Sequence, residues 1–228
     1  MDDHNMQLSR AVLSIWNDID PEIQGEYEAW YQRDHLRDRV HTPGFRTCRR
    51  YIRVAGDGRQ YFTFSDLDSI DVCTSEAYRS RLANATEWTR RIMPHFRRLI
   101  RVAADVTLER GDGIAGFAAT AVFEGGGDLA RQAARAAIAA AAVSIMEDAR
   151  VTRLRIFEAN ASANGVPNPE AALRPDAPRT CELAIVLEGS DEVAVTQHLA
   201  TLQELTERQA LTSAMPPSVY RLLYSSSL

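Results

Sequence analysis

Lysine is absent from this chain: all 26 of its basic residues are arginine. Catalysis through an imine on a lysine amine is thereby excluded. Cysteine is scarce, and the spacing of Cys48, Cys73 and Cys181 fits neither a zinc site nor a C-x-x-C redox pair. Three unpaired thiols are expected to be small buried hydrophobes in a reducing compartment. No apolar run reaches the ~18 residues that cross a bilayer. The alanine tract 136–142 is too short, and Arg131, Arg135, Glu147 and Asp148 flank it. The glycine-rich stretches 111–116 and 125–127 contain neither GxxxxGK[ST] nor GxGxxG, which excludes a phosphate loop of either kind. HxxxH, HExxH and carboxylate clusters are missing too, so neither a metal nor another cofactor is expected. A net charge of -5, with basic pairs such as Arg49-Arg50 and Arg97-Arg98 too sparse to form a stripe, argues against nucleic acid or an anionic membrane as partner. Met1 to Arg10 are polar and acidic, unlike a secretory leader, and a cytoplasmic location is expected.

What is present is an ordinary globular composition, 45% hydrophobic and 25% charged over 228 residues, enough for a core without disulfides or metals. Strands are expected over 10–18, 45–54, 59–67 and 97–109. A helix starts at Asp20-Pro21, with Asp as cap, and runs to about Val40, where His41-Thr42-Pro43-Gly44 stops it. Ala55 to Gly58 make a hairpin loop, and 69–95 is helical in two pieces. That order is β-α-β-β-α-β. It recurs in strands 114–124, 150–158, 180–188 and 217–225 and helices 128–148 and 191–208, with Gly125 to Gly127 turning into an Asp128 cap.

The fold class is therefore α+β: two tandem ferredoxin-like repeats, residues 1–110 and 111–228, forming an intramolecular α+β barrel. The first half holds 17 arginines and 17 acidic residues, all three tryptophans and four of the five histidines; the second holds 9 arginines and 14 acidic residues. The first half is expected to carry the site and the second to complete the barrel. Residues 159–179, with Pro167, Pro169, Pro175 and Pro178, replace the short hairpin of the first half. A loop that long is a mobile surface segment, a lid or a subunit contact.

Strand parity suggests where chemistry sits. With the apolar faces turned to the helices, the other face collects Thr47, Arg49, Tyr51, Tyr61, Thr63, Ser65, Arg101 and Asp105 and would line the barrel interior. Such a mixed lining suits a small-molecule pocket, or else it is a polar face in water. On the first helix, Tyr27, Tyr31, Asp34, His35 and Asp38 fall on one broad side. His35 is a candidate acid or base, or a histidine satisfied within the structure.

The order Glu26, Trp30, Tyr31, His35, then Pro43, Gly44, Phe45 and Tyr51 resembles the EthD-like branch of the dimeric α+β barrel superfamily, as does Trp88 with Pro94, His95 and Phe96. The resemblance covers residues 8–110; the second half has no Trp-Tyr…His and no Pro-Gly-Phe. It implies the barrel fold and a pocket for an aromatic, polyketide-like or enolisable compound, in cofactor-free monooxygenases, isomerases, cyclases or decarboxylases. His35, Tyr51 and Arg49 are then the catalytic candidates. Tyr31, Tyr61, Trp88, His95 and Arg101 are the substrate-binding candidates. His35, Tyr51 and Tyr61 are expected to converge at one barrel mouth, which Trp88 and His95 close. The alternatives are a binding protein that does not turn its ligand over and a structural module with a filled barrel; haem ligation by His35 or His95 is a lesser option. A homodimer is expected, because an internal barrel leaves the outer helices for self-association.

Overall fold

The computed structural model describes residues 11–227. Met1 to Arg10, read above as a segment unlike a leader, lie outside the described residues. The elements are β1 (Ala11–Ile19), α1 (Gln24–Trp30), a π-helical turn (Tyr31–His35), α2 (Leu36–Val40), β2 (Phe45–Gly56), β3 (Tyr61–Leu67), α3 (Glu76–Ala83), α4 (Glu87–Ile92) and β4 (Phe96–Gly111), then β5 (Phe117–Glu124), α5 (Gly127–Ile145), β6 (Val151–Ala159), α6 (Ala161–Asn164), β7 (Leu183–Gly189), α7 (Glu192–Glu207) and β8 (Thr212–Ser227). Both halves run β-α-β-β-α-β.

The strands close into one barrel in the order β1-β3-β2-β8-β5-β7-β6-β4. Read from β4, the first half contributes β4-β1-β3-β2 and the second repeats that pattern as β8-β5-β7-β6. Antiparallel pairings of β2 with β8 and of β4 with β6 join the halves. Closure removes the sheet edges. Helices cover much of the outer face, and β3 and β7 are buried on both sides. Among the described residues no helix is long and apolar enough to cross a membrane.

Local signals act largely as the sequence suggests, with two exceptions. Gly44 turns the chain into β2 at φ +92°, where a side chain would also run into Val72. Asp20 precedes Pro21 but does not cap; its carboxylate is held by His95 and Arg97. Gly126, not Asp128, sits at the N-cap of α5, and Asp128 pairs with Arg131 instead. The three thiols are free and buried. Burial pushes Cys48 and Cys181 up to about 12 and Cys73 up to about 11, which leaves them protonated and unreactive.

The barrel interior is filled. Trp16 stacks on Phe62 at 4.8 Å, and Tyr51 lies 5.6 Å from Phe62 and 5.9 Å from Phe64. Below these rings four charged side chains form a ring of alternating sign. Arg49 donates to Asp66 at 2.5 Å and to Glu188 at 2.7 Å; Arg155 donates to Asp66 at 2.7 Å and to Glu188 at 2.9 Å. Tyr51 also donates to Glu188, at 3.1 Å. Arg49 and Asp66 come from β2 and β3, Arg155 and Glu188 from β6 and β7. The ring therefore ties the two halves together across the core. Both guanidinium carbons lie 4.7 Å from the Phe64 ring centre.

This corrects the expected lining of the interior. On β2 the parity is as expected, with Arg49 and Tyr51 inward. On β3 it is reversed: the register sets Tyr51 opposite Phe62 and Arg49 opposite Phe64, so the two phenylalanines share the interior face. Tyr61, Thr63 and Ser65 face the helices. On β4, Ile100 lies opposite Trp16 and turns inward, while Arg101 lies opposite Ile15 and turns outward. Among the described residues, aromatic rings and paired charges occupy the space of the expected inner pocket.

Candidate functional site

A cavity does exist on the other side of the same sheet, between β1, β3 and β4 and the first helices. It starts from the π-helical turn. Inserting a wider turn between α1 and α2 buries Tyr31, His35, Leu36 and Arg39 together. The turn is anchored from two sides. Trp30 donates its indole N–H to Thr89 at 3.1 Å, and Thr86 donates to Asp34 at 2.8 Å. Both threonines belong to the start of α4, where Thr86 caps the helix.

His35 is 8% exposed. Its ring lies 4.4 Å from Trp30 and 5.1 Å, edge-on, from Tyr31. Among the described residues no protein group is hydrogen-bonded to either ring nitrogen. Burial, and then the positive charges of Arg39, Arg174 and Arg50, hold the imidazole well below its ordinary range. At neutral pH the ring is uncharged and can accept a proton.

The cavity beside it measures about 30 Å³, room for about one or two waters. Leu13, Ile15, Tyr31, His35, Arg101 and Arg174 are among its walls. Outside it lies a more polar recess of about 210 Å³ reached past Asp34, Arg81 and Thr86. His35, Arg39 and Glu170 form the partition shared by the two spaces.

Glu170 arrives from the proline-containing segment after β6. This strap crosses from the second half onto the first. Asn164 bridges the backbone of Ala103 on β4, accepting from its N–H at 2.9 Å and donating to its C=O at 2.7 Å. Arg179 exchanges backbone bonds with Leu99 and Arg101, sealing that stretch of β4. Between these anchors Glu170, 4% exposed, accepts from Arg39 at 2.7 Å and lies 3.6 Å from Arg174. Of the three roles open to this segment, its position is that of a cover. Removing the clasp by Glu170→Ala should leave Arg39 and Arg174 buried without a carboxylate. Hydrogen exchange is expected to rise about a hundredfold at the amides of 165–175, with α5 and α7 unchanged. An unchanged strap would mean that the Asn164 and Arg179 anchors alone hold it shut.

The sequence candidates separate into four places. His35, Tyr31 and Arg101 meet at the cavity. Arg49 and Tyr51 are sealed in the barrel on the opposite face of the sheet, engaged in the charged ring. Tyr61 is on the helix side but donates to Glu28 at 2.7 Å and, with Tyr27 and Tyr31, packs around the Arg50 guanidinium. The expected convergence of His35, Tyr51 and Tyr61 is thus corrected: the sheet lies between the first two. Trp88 and His95 do not close a mouth either. Trp88 donates to Glu26 at 3.1 Å and His95 contacts Asp20 at 2.9 Å, both at the outer end of the helix layer. Arg39, Glu170 and Arg174 went unnoticed in the sequence. Arg39 sits one turn after His35, a spacing that could have drawn attention.

A haem does not fit these residues. His35 is wedged between Trp30 and Tyr31, His95 is held by Asp20, and the space beside His35 is far smaller than a porphyrin.

No protein-family profile matches the chain, and no curated protein matches it. Solved structures do. An anthrone oxidase-like protein superposes with a TM-score of 0.64 at 10% identity, covering 95% of this chain and 92% of its own. A monooxygenase-like protein from Listeria innocua gives 0.51 at 9% identity, covering 94% and 95%. A haem-binding protein from Thermus thermophilus gives 0.51 at 12% identity, covering 95% and 92%. The chain shares the overall fold of these proteins, a closed eight-stranded α+β barrel built within one polypeptide.

Proposed function

We propose that the first half, residues 1–110, carries most of a small-molecule site centred on His35, which Glu170 and Arg174 of the second half complete, and that the protein is a metal-free enzyme of the EthD-like kind acting on an aromatic or enolisable compound. The observation that supports this best is a neutral, unbonded imidazole held at the wall of an arginine-lined cavity. Such a ring can take a proton from an acidic C–H of the substrate. Arg101 and Arg174 are placed to stabilise the oxyanion left behind, and the buried Tyr31 bounds the ring plane of a flat ligand. The fold likeness to proteins named as anthrone oxidase-like and monooxygenase-like is in keeping with that chemistry. Tyr51 and Arg49 have no part in it. The closed cavity admits only a small group, so the strap must lift for a substrate to enter.

The alternative is a carrier that uses the same cavity without turnover. A thermal-shift screen of aryl ketones, anthrone included, separates the outcomes. A ligand at a hundred times its Kd raises stability by about 2.7 kcal/mol. The enzyme reading expects a hit whose acidic C–H exchanges with deuterium in D2O only when protein is present. A hit without exchange favours the carrier. No hit among aryl ketones removes this substrate class.

A further inference from the structure

The charges around the cavity do not balance. Arg39, Arg101 and Arg174 line it, and Arg50 lies directly behind Tyr31, 3.8 Å from the ring centre. Against these four guanidinium groups stands one buried carboxylate, Glu170. Of the neighbouring acids only the half-buried Asp38 reaches this group, at 3.5 Å from Arg39 while also bonded to Arg81; Asp34 is engaged by Thr86, Glu28 by Tyr61 and Asp105 by Asn160. Glu170 itself is bonded to Arg39. Among the described residues the partly buried Arg101 guanidinium is bonded only to the hydroxyl of Tyr78, at 3.4 Å. Arg174 is the decisive residue. Its side chain is 4% exposed, its guanidinium carbon lies 5.7 Å from the Phe96 ring centre, its Nη2 lies 3.6 Å from the Glu170 carboxylate that Arg39 also uses, and among the described residues its Nε and Nη1 atoms have no hydrogen-bond acceptor. Nη1 and Nη2 of Arg50 have none either.

Buried cations that share a single buried counter-ion are costly, and guanidinium donors left without an acceptor add to that cost. Aromatic faces offset part of that cost for Arg50 and Arg174 but supply no acceptor. A chain that keeps such donors at the wall of a cavity, Arg101 on the sheet and Arg174 on the strap that covers it, is built to receive an anion.

We propose that the ligand of this site is a small organic anion, an aryl carboxylate or a phenolate, whose charged end seats on Arg174 and Arg101 while its ring lies against Tyr31 and Phe96. This rests on the reading of the cavity as a small-molecule site and narrows it to a charge class. Guanidinium groups offer paired N–H donors that match a carboxylate, so charge and geometry select together. A neutral analogue of the same shape leaves the arginines uncompensated and binds more weakly.

The test uses the full chain with benzoate and its neutral isostere benzamide, by calorimetry and by NMR of the His35 ring. Benzoate is expected to bind at least about tenfold more tightly than benzamide, a difference of about 1.4 kcal/mol. Arg174→Gln is expected to remove that preference, and Arg101→Gln to reduce it in a chain whose strap is untouched. Equal affinity for the two probes, no binding of benzoate, or a benzoate affinity that survives both substitutions overturns the proposal. The two readings fail separately. If benzamide binds and shifts the His35 signals while benzoate does not, the cavity stands and the anion falls. If benzoate binds through Arg174 and the His35 signals stay still, the anion stands and the role of His35 falls.

Discussion

Glu188→Gln is expected to lower the unfolding free energy by about 3–5 kcal/mol, the usual cost of breaking a buried ion pair from one side. Glu188 is fully buried, and it accepts from Arg49, Arg155 and Tyr51 at once. Neutralising it leaves two guanidinium groups in the barrel with only Asp66 between them. At about 2–4 °C per kcal/mol for a chain of this size, the melting temperature should fall by about 6–20 °C. Removing a partner is a different experiment from removing the network. Replacing all four members by well-packed apolar residues can be neutral, because the desolvation cost disappears together with the attraction. A loss below about 1 kcal/mol for Glu188→Gln would show that the four groups do not act as a unit. The ring also sets an acid limit. Burial pushes the Asp66 carboxyl up, but Arg155 and Arg49 outweigh it and hold the group well below the usual carboxylate range. Its stabilising contribution is therefore complete above the unfolded value of about 3.9 and is withdrawn as pH falls through the lower folded value.

His35→Gln should cost activity, not structure. If the ring is the base, turnover of the compound found in the screen should drop about 10²- to 10⁴-fold. The melting temperature should move by only a few degrees, because no described protein group loses a hydrogen bond with the ring. The pH behaviour gives a second reading. The folded ring is held below its ordinary range by burial and by Arg39, Arg174 and Arg50, so the unfolded chain binds the extra proton first. The stability that comes from keeping the ring neutral is complete above the unfolded value of about 6.5 and declines as pH falls below it. In His35→Gln that part of the decline is absent. A large loss of melting temperature with unchanged turnover per folded molecule would make His35 a packing element.

The fold was legible because each element carries its own local signal. Asp20-Pro21, Pro43-Gly44 and the 3.6-residue and two-residue periodicities fix an order of elements that few architectures accommodate. Which side of a strand faces which layer was legible only in part. All seven residues of β3 are buried. When both faces of a sheet are covered, alternation of polarity no longer marks the inside. The face is then decided by register, and a slip of one residue reverses it. Phe62 and Phe64 entered the barrel beside Arg49 because cross-strand pairing put them there. Arg101 shows the converse: its assigned face was wrong, yet it still reached the cavity, because the cavity lies outside the barrel. The π-helical turn has no sequence mark of its own. Glu170, 131 positions after Arg39, meets it only through the path of the strap, and no window along the chain connects the two.

The closing of the barrel bears on how the protein is made. β2 and β4 are each completed by a strand from the other half, and the amide of Gly58 binds a serine 160 positions later. A ribosome delivers the first half long before those partners exist. During that interval β2 and β4 present open edges, each able to pair with another nascent chain. Contacts this distant in sequence also form slowly. Recovery of active protein from a cell is thus a race between late strands and neighbouring chains, in which slower synthesis or a bound chaperone counts for more than any stability gained after the barrel has shut.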